Sequence, residues 1–298
     1  MKYNKGLRAV AIAAGVIASA GAQATETRGS IYPAGAENYT CCAVPPPGFY
    51  GMVFLQHYTG TKIKDNDGNT IPIPGFKVTA NAVVPRFVWV TGQQIAGASL
   101  AFHAIVPLVS LEVSLPGRTH KKSGVGDVIF GPALGWHHSP QLHSLLALDV
   151  FAPTGGYDST DFANVGRNYW AVQGIAGVSQ IDPKGLNADA KVMYTLNAKN
   201  KDTDYRSGNE FIVDYDAGWG LGNGWVVGVG GYLYRQVTAD KQAGATVPDN
   251  KARSFAIGPS IKYDSGKGWF LTLKYETETG VRNRAAGNAL WLKAVHPL

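Results

Sequence analysis

About twelve segments of this chain alternate apolar and polar residues, and the connections between consecutive segments are long and short in turn. A β-strand points successive side chains to opposite faces of its sheet, so this alternation indicates strands with one apolar and one polar face. The segment 186–197 shows the pattern clearly, since Leu186 and Leu196 share one parity while Asp189 and Lys191 share the other. The long connections are polar, and the short ones are tight turns rich in Gly, Asp and Asn.

These features favour an all-β fold, a transmembrane antiparallel up-and-down β-barrel of about 12 strands with short periplasmic turns and long extracellular loops. Several segments exceed the roughly 9–11 residues that cross a bilayer at a tilt, whereas strands of soluble proteins average about 5–6 residues. Trp and Tyr stand at segment ends, as in the aromatic girdles of membrane barrels. A soluble β-sandwich also alternates and is the alternative fold. Long loops are expected at 60–75, 115–124, 153–166, 198–208, 238–251 and 279–286.

The amino terminus has the features of a secretory signal peptide, residues 1–24. Three basic residues precede an apolar run, 9–22, which is shorter than the ~20 residues of a transmembrane helix, and Ala24 ends a small-x-small cleavage site. Cleavage there leaves 24 of the 27 basic residues against 21 acidic ones. The mature chain is therefore only slightly basic, which gives no reason to expect a nucleic-acid partner. The predicted location is the bacterial outer membrane.

After cleavage the sequence divides into two parts. Residues 25–47 are irregular and include Pro45-Pro46-Pro47, which predicts an extended periplasmic arm or a plug. Residues 48–298 form the predicted barrel. Its expected partners are outer-membrane lipid and lipopolysaccharide, the barrel-assembly machinery and a small hydrophobic solute, and no cofactor or metal is expected.

The chain contains two cysteines, and they are adjacent: Cys41 and Cys42. A periplasmic location permits a local disulfide between them, although a ring closed by sequence neighbours is strained. Two inert thiols are the alternative. With no histidine nearby, the pair makes a poor metal site.

Charged residues at the polar parity of the predicted strands are candidates for the barrel lumen. Mixed signs at these positions would either set the selectivity of a pore or pair with one another and fill the lumen. The candidates are Arg86, Asp127, Asp149, Asp189, Lys191, Asp214, Asp216, Lys262, Lys274, Glu276 and Lys293.

Two further motifs invite a chemical interpretation but favour structural ones. His137-His138-Ser139 would suggest a hydrolase, yet neighbours on a strand point to opposite faces, so no catalytic residue is predicted. Asp158, Asp161 and Asn164 could offer oxygen ligands to Ca²⁺, but a turn stabilised by Asp and Gly is the favoured interpretation.

A series of short motifs runs through about residues 28–298. The motifs are Pro46-Pro47-Gly48-Phe49-Tyr50, Gly126-Asp127, Gly131-Pro132, Gly135-Trp136, Pro153-Thr154-Gly155, Tyr157-Asp158, Asn164 to Trp170, and Leu290-Trp291-Leu292-Lys293. This series resembles the family named for the MetA pathway of phenol degradation, which includes SphA-like outer-membrane proteins. The resemblance implies an outer-membrane barrel connected with the degradation of aromatic or other hydrophobic compounds, and it supplies no catalytic residue.

The resulting functional hypothesis is an outer-membrane channel for passive uptake of small hydrophobic or aromatic compounds, linked to their degradation, and not an enzyme. The alternative is a structural or surface barrel that transports nothing. Both hypotheses use the same fold, so the distinction depends on whether the lumen and the loops can accept a solute.

Overall fold

The computed structural model describes residues 29–298, which form a closed ring of twelve antiparallel strands. The predicted transmembrane barrel is therefore confirmed, while the predicted signal peptide and its cleavage site lie outside the described residues. The strands are β1 (Gly48–Lys64), β2 (Lys77–Ile95), β3 (Ala98–Ile105 and Leu108–Leu115), β4 (Arg118–Val125 and Val128–His137), β5 (Leu142–Ala152), β6 (Ala171–Gln180), β7 (Leu186–Asn197), β8 (Glu210–Gly220), β9 (Trp225–Gln236), β10 (Arg253–Asp264), β11 (Phe270–Arg282) and β12 (Ala285–Pro297).

Strand β1 closes the ring because it pairs along both of its edges. Tyr50 lies opposite Val88 of β2 on one side and opposite Pro297 of β12 on the other. Every other barrel strand pairs with its neighbours in the sequence, so the topology is up-and-down. A closed ring leaves few backbone groups without partners, as a bilayer requires. Among the described residues, no helix has the length and apolarity needed to span a membrane.

The outer surface is apolar and the inner surface is polar, the reverse of a soluble protein. On β7, Leu186 is 50% exposed, whereas Asp189 and Lys191 at the alternate parity are each 6% exposed. In an aromatic cluster on the outer surface near the tight turns, Phe49 stacks on Trp89, and Phe102 lies tilted against the same Trp89 ring. Such a surface is stable against lipid, and the aromatic cluster matches an interfacial girdle.

The two ends of the barrel differ. At one end, which we call the short-turn end, consecutive strands join through turns such as Ala96-Gly97. At the other, the long-loop end, four of the six expected long loops are present, the longest between Ala152 and Ala171. The predictions of loops at 115–124 and 279–286 were wrong. There the strands continue almost to the turn, which Pro116-Gly117 and Asn283-Arg284 make.

The paired ends of β3 and β4, residues 108–125, project beyond the ring as a hairpin, which we call the projecting hairpin. Its polarity is the reverse of the barrel's. The side chains that face inward are Val109, Leu111, Val113 and Leu115, and those between them are Ser110, Glu112 and Ser114. A polar outer face shows that this hairpin stands beyond the apolar band of the membrane.

A second, small sheet ties two of the long loops together. It is built from Lys199–Asn200, Tyr205–Arg206, Lys241–Gln242 and Ala245–Thr246. The buried carboxylate of Asp240 anchors it by accepting hydrogen bonds from the Tyr205 hydroxyl, the Gly208 amide and the Gln236 side chain. Burial raises the pKa of Asp240 above its usual range.

Candidate functional site

The segment 29–47, which we call the arm, lies inside the ring of strands. Tyr32, Glu37, Asn38, Tyr39 and Cys42 are all buried against inward-facing side chains. The arm has no regular secondary structure, so its backbone groups find partners in the barrel wall instead. Its polar lumen partners explain why such an irregular, proline-containing segment is stable there.

Acidic side chains of β7 and β8 bind the backbone of the arm. Asp214 accepts hydrogen bonds from the Tyr32 hydroxyl at 2.9 Å, the Gly35 amide at 2.7 Å and the Glu37 amide at 3.2 Å. Two further carboxylates, two positions along the same strands, also accept hydrogen bonds from backbone amides of the arm. Asp216 accepts from the Tyr39 amide and Asp189 from the Cys41 amide, both at 2.7 Å. Hydrogen bonds to charged groups are stronger than neutral ones, so this acidic wall holds the arm in one register.

Basic side chains bind the carbonyl groups of the arm from the opposite wall. Lys274 donates to the Gly35 carbonyl at 2.6 Å and to the Glu37 carbonyl at 3.2 Å. Lys293 donates to the carbonyls of Asn38 and Tyr39, and Lys262 donates to the Thr40 hydroxyl. The arm therefore lies between an acidic wall and a basic wall, each matched to the backbone groups that it meets.

Glu37 is the one acidic side chain of the described arm, and three basic side chains surround it. Its carboxylate lies 3.0 Å from Arg86, 3.3 Å from Lys293 and 3.7 Å from Lys191. Only the first two are within hydrogen-bond distance. Removing Glu37 would leave these cations buried without their common counter-ion, which is strongly destabilising.

The remaining lumen candidates contact other parts of the barrel. Asp149 bonds His103 at 2.8 Å, and Glu276 accepts from the Trp291 indole at 3.1 Å. Asp127 accepts from the backbone amides of Gly155 and Arg167 and so fixes both ends of a loop. All the predicted lumen residues are thus inside the barrel, and most of them contact the arm. Their role in selectivity stays a prediction.

Cys41 and Cys42 lie in the arm as separate thiols. The Cys42 amide donates to the Ser179 hydroxyl, and the Cys42 sulfur packs directly on Gly177, where a Cβ would lie only 2.3 Å away. Gly177 is therefore needed for the close approach of the arm to β6. The disulfide between the two cysteines stays a prediction.

Above the arm, at the long-loop end, lies a cavity of about 810 Å³, which we call the vestibule. Its floor includes Tyr32 and Glu37 of the arm, together with Arg86 and Lys191. Its walls are mostly apolar, and they come from the projecting hairpin, the upper parts of β1 and β2, and three loops. The wall residues include Val109, Leu111, Val113, Leu115, Ile63, Ile71, Ile73, Phe76, Val78, Phe162, Val165 and Val247. This size and lining suit a small hydrophobic ligand.

One side of the vestibule is formed by the loop 153–166, which Lys122 of the projecting hairpin anchors. The Lys122 ammonium donates to Asp161 and Asn164, both at 2.8 Å. Phe162 of the same loop lies against Arg118 and His120, with 4.7 Å from the guanidinium to its ring centre. These contacts hold an aromatic ring in the vestibule wall.

The two chemical interpretations weighed from the sequence find no support in the geometry. A lysine occupies the position beside Asp161 and Asn164 that a Ca²⁺ ion would need, and Asp158 bonds Thr160, which lowers the pKa of Asp158. Within residues 29–298, no group of three or more His, Cys, Asp or Glu is arranged to hold a metal ion. His138 bonds Ser144 rather than Ser139.

Sequence reasoning missed the vestibule, although a signal was present. At the inward positions of β3, Ala101 and His103 give way to Val109 and Leu111 after Val106-Pro107, while the outward positions become polar. The inward face of the strand thus becomes apolar and its outward face becomes polar. This change marks the point where a strand leaves the membrane. The polar composition of residues 115–124, which is typical of a loop, conceals this signal in the sequence.

The closed ring and the lipid-compatible outer surface define a transmembrane β-barrel of the outer-membrane type, and the vestibule is its candidate ligand site. The sequence comparison then identifies the family. Residues 60–294 match the family described as putative MetA-pathway of phenol degradation, and this chain belongs to that family. No curated protein matches the sequence significantly.

Among solved structures, the COG4313 outer membrane channel from Pseudomonas putida F1 is similar, with a TM-score of 0.78 at 19% identity over 88% of this chain and 99% of that chain. This similarity supports the fold. Two autotransporter barrels are more distant. They are the transport unit of AIDA-I from Escherichia coli (TM-score 0.48, 7% identity, 83% of this chain and 89% of that chain) and the translocator domain of NalP from Neisseria meningitidis (TM-score 0.46, 11% identity, 99% of each chain).

Proposed function

We propose that this protein is a passive channel through which small hydrophobic or aromatic compounds cross the outer membrane, in connection with their degradation. The observation that carries the proposal is the vestibule, a largely apolar cavity of about 810 Å³ at the end that outer-membrane barrels turn outward. Transfer of an apolar surface out of water is favourable by roughly 25 cal/mol per Å², so such a cavity concentrates hydrophobic solutes. Membership of a family described by phenol degradation is consistent with this proposal.

The arm is the barrier to passage of a solute from the vestibule through the lumen. It fills the polar lumen below the vestibule and contacts both walls, so passage through the lumen requires the arm to move. We propose that residues 25–47 act as a plug whose charged contacts set how often the lumen opens. The lumen residues that bind the arm would then control gating rather than choose the solute.

A non-transporting surface barrel is the second candidate, and the filled lumen favours it. The two candidates differ in what they predict for the vestibule. A structural barrel gives no reason for an apolar inner face on the projecting hairpin, whereas a channel requires one. No catalytic role is proposed for any residue. Contact with lipopolysaccharide and passage through the barrel-assembly machinery stay predictions.

The test is the initial rate of uptake of a radiolabelled alkylbenzene by cells that lack the gene, with the protein restored on a plasmid. We expect uptake to rise with the wild-type protein and to remain low with Leu111→Asp, which puts a charge in the vestibule wall. Ser110→Asp, on the outer face of the same hairpin, is the matched control and should restore uptake. Equal uptake with and without the protein, at equal surface abundance, would refute transport.

A further inference from the structure

Lys191 is a buried cation without a hydrogen-bond partner among the described residues. It lies on β7 at an inward position, opposite Gly177 of β6 and Asp214 of β8, and is only 6% exposed. Its ammonium lies 3.7 Å from Glu37, beyond hydrogen-bond distance, and 5.1 Å from the centre of the Tyr32 ring. Lys191 also lines the floor of the vestibule. Glu37 is thus its counter-ion, but the ammonium donates no hydrogen bond to a described residue, so it can still donate to a ligand oxygen at hydrogen-bond distance.

The carboxylates around Lys191 already have other partners. Glu37 accepts from Arg86 at 3.0 Å and from Lys293 at 3.3 Å. Asp149 bonds His103 at 2.8 Å. Asp214 accepts three hydrogen bonds from the arm. Each acidic neighbour is thus committed to a second group, while Lys191 lines the vestibule.

A second polar side chain on the vestibule wall also has no hydrogen-bond partner within residues 29–298. Gln56 of β1 lines the same cavity and lies opposite Ala82 of β2 and Trp291 of β12. Its amide can donate as well as accept. The wall around it is apolar, with Phe54 and Val84 two positions along each strand. The vestibule therefore combines a large apolar volume with two polar groups that make no hydrogen bond to a described residue.

We propose that the vestibule binds an amphipathic monocarboxylic acid, with the carboxylate on Lys191 and the aromatic or aliphatic body against the apolar walls. This inference rests on the proposed function, since it names the substrate class that the same cavity prefers. A carboxylate supplies the close acceptor oxygens that Lys191 lacks and adds a second negative charge beside that of Glu37. An alcohol supplies one neutral acceptor, and an amine brings a like charge, so both should bind less well.

The size of the cavity allows the apolar body considerable freedom. A volume of about 810 Å³ lies in the range of drug-sized ligand sites, so a substituted benzoate fits without filling it. The preference for a carboxylate therefore arises at the floor of the vestibule, where the polar groups lie. The apolar walls accept ligands with different aromatic or aliphatic bodies. An uptake channel for a class of compounds needs this combination, in which the ligand's head group is selected and its apolar body can vary.

The experiment measures binding by titration calorimetry to the full mature protein in lipid nanodiscs, with empty nanodiscs subtracted. The probes share one body and differ in the head group: 4-butylbenzoate, 4-butylbenzyl alcohol and 4-butylbenzylamine. We expect the acid to bind about 10-fold or more tighter than the alcohol, the ratio that a hydrogen bond to a charged group gives. The Lys191→Met variant should bind acid and alcohol about equally, while Lys191→Arg should keep the preference.

Lys184→Met, in an exposed turn at the short-turn end, is the matched control and should bind like the wild type. Heat-dependent migration in gels shows whether each variant is a folded barrel, and Lys191→Arg keeps the test decisive if Lys191→Met does not fold. Equal binding of acid and alcohol by the wild type would overturn the inference and leave the proposed function standing. A preference unchanged in Lys191→Met would overturn the assignment to Lys191. Failure of all three probes to bind would instead overturn the proposed function.

Discussion

Removing the Asp214 carboxylate should release the arm from the acidic wall. Asp214→Ala deletes the acceptor for three donors, the Tyr32 hydroxyl and the amides of Gly35 and Glu37, at 2.7–3.2 Å. Each hydrogen bond to a charged group is worth about 1.5–3 kcal/mol, although water admitted with the vacated side chain replaces part of this. We take about 3 kcal/mol as a conservative figure for the net loss of free energy of docking of the arm. This loss raises the undocked fraction of the arm about a hundredfold.

The assay is single-channel recording in planar bilayers. The wild type should be closed for most of the record, because the arm contacts both walls, and Asp214→Ala should open far more often with the same unit conductance. Deletion of residues 30–44 gives the reference for a fully open lumen. Asp67→Ala removes the same charge from an exposed loop and should behave like the wild type. If the deletion opens the barrel and Asp214→Ala remains as closed as the wild type, the acidic wall does not hold the arm.

Two further predictions concern the barrel wall and the vestibule loop. Gly131→Ala places a Cβ 1.8 Å from the Leu148 carbonyl oxygen, so it should lower the free energy of unfolding by about 1–3 kcal/mol in urea titrations, while Gly174→Ala, with open space around it, should not. Lys122→Met removes the two hydrogen bonds that anchor the vestibule loop, so limited proteolysis of intact cells should cut that loop faster than in the wild type. Lys121→Met, on the exposed face of the same strand, is its control, and equal cleavage in both variants would show that Lys122 does not anchor the loop.

The barrel itself was predictable because few other folds produce an alternation of apolar and polar residues over such long strands. In β7 every second residue from Leu186 to Leu196 is apolar, and alternation over such a length is typical of a sheet with one lipid-facing side. The inward placement of Asp189 and Lys191 followed from the same parity. The strand ends were less predictable, since a hairpin that continues beyond the membrane and a polar loop have similar compositions.

The contacts of the arm were not predictable from the sequence. A charged residue on the polar face of a predicted strand gives the same sequence pattern whether its side chain contacts water or a backbone amide. Asp214 and Lys274 were therefore equally compatible with a water-filled lumen and with a lumen filled by protein. Nor does Glu37, which lies in an irregular segment with no periodicity, reveal that it meets Arg86 and Lys293. Long-range pairs of this kind depend on the closed ring, which brings strands distant in sequence around one segment.

The most direct test of the central claim, that the vestibule receives the solute, is the position of a bound heavy-atom ligand. Crystals soaked in 1-bromonaphthalene and measured at the bromine absorption edge give that position without interpretation of weak density. The account predicts an anomalous peak inside the vestibule, in contact with Leu111, Phe76 or Phe162. Bromine peaks confined to the lipid-facing aromatic girdle, with none in the vestibule, would contradict it.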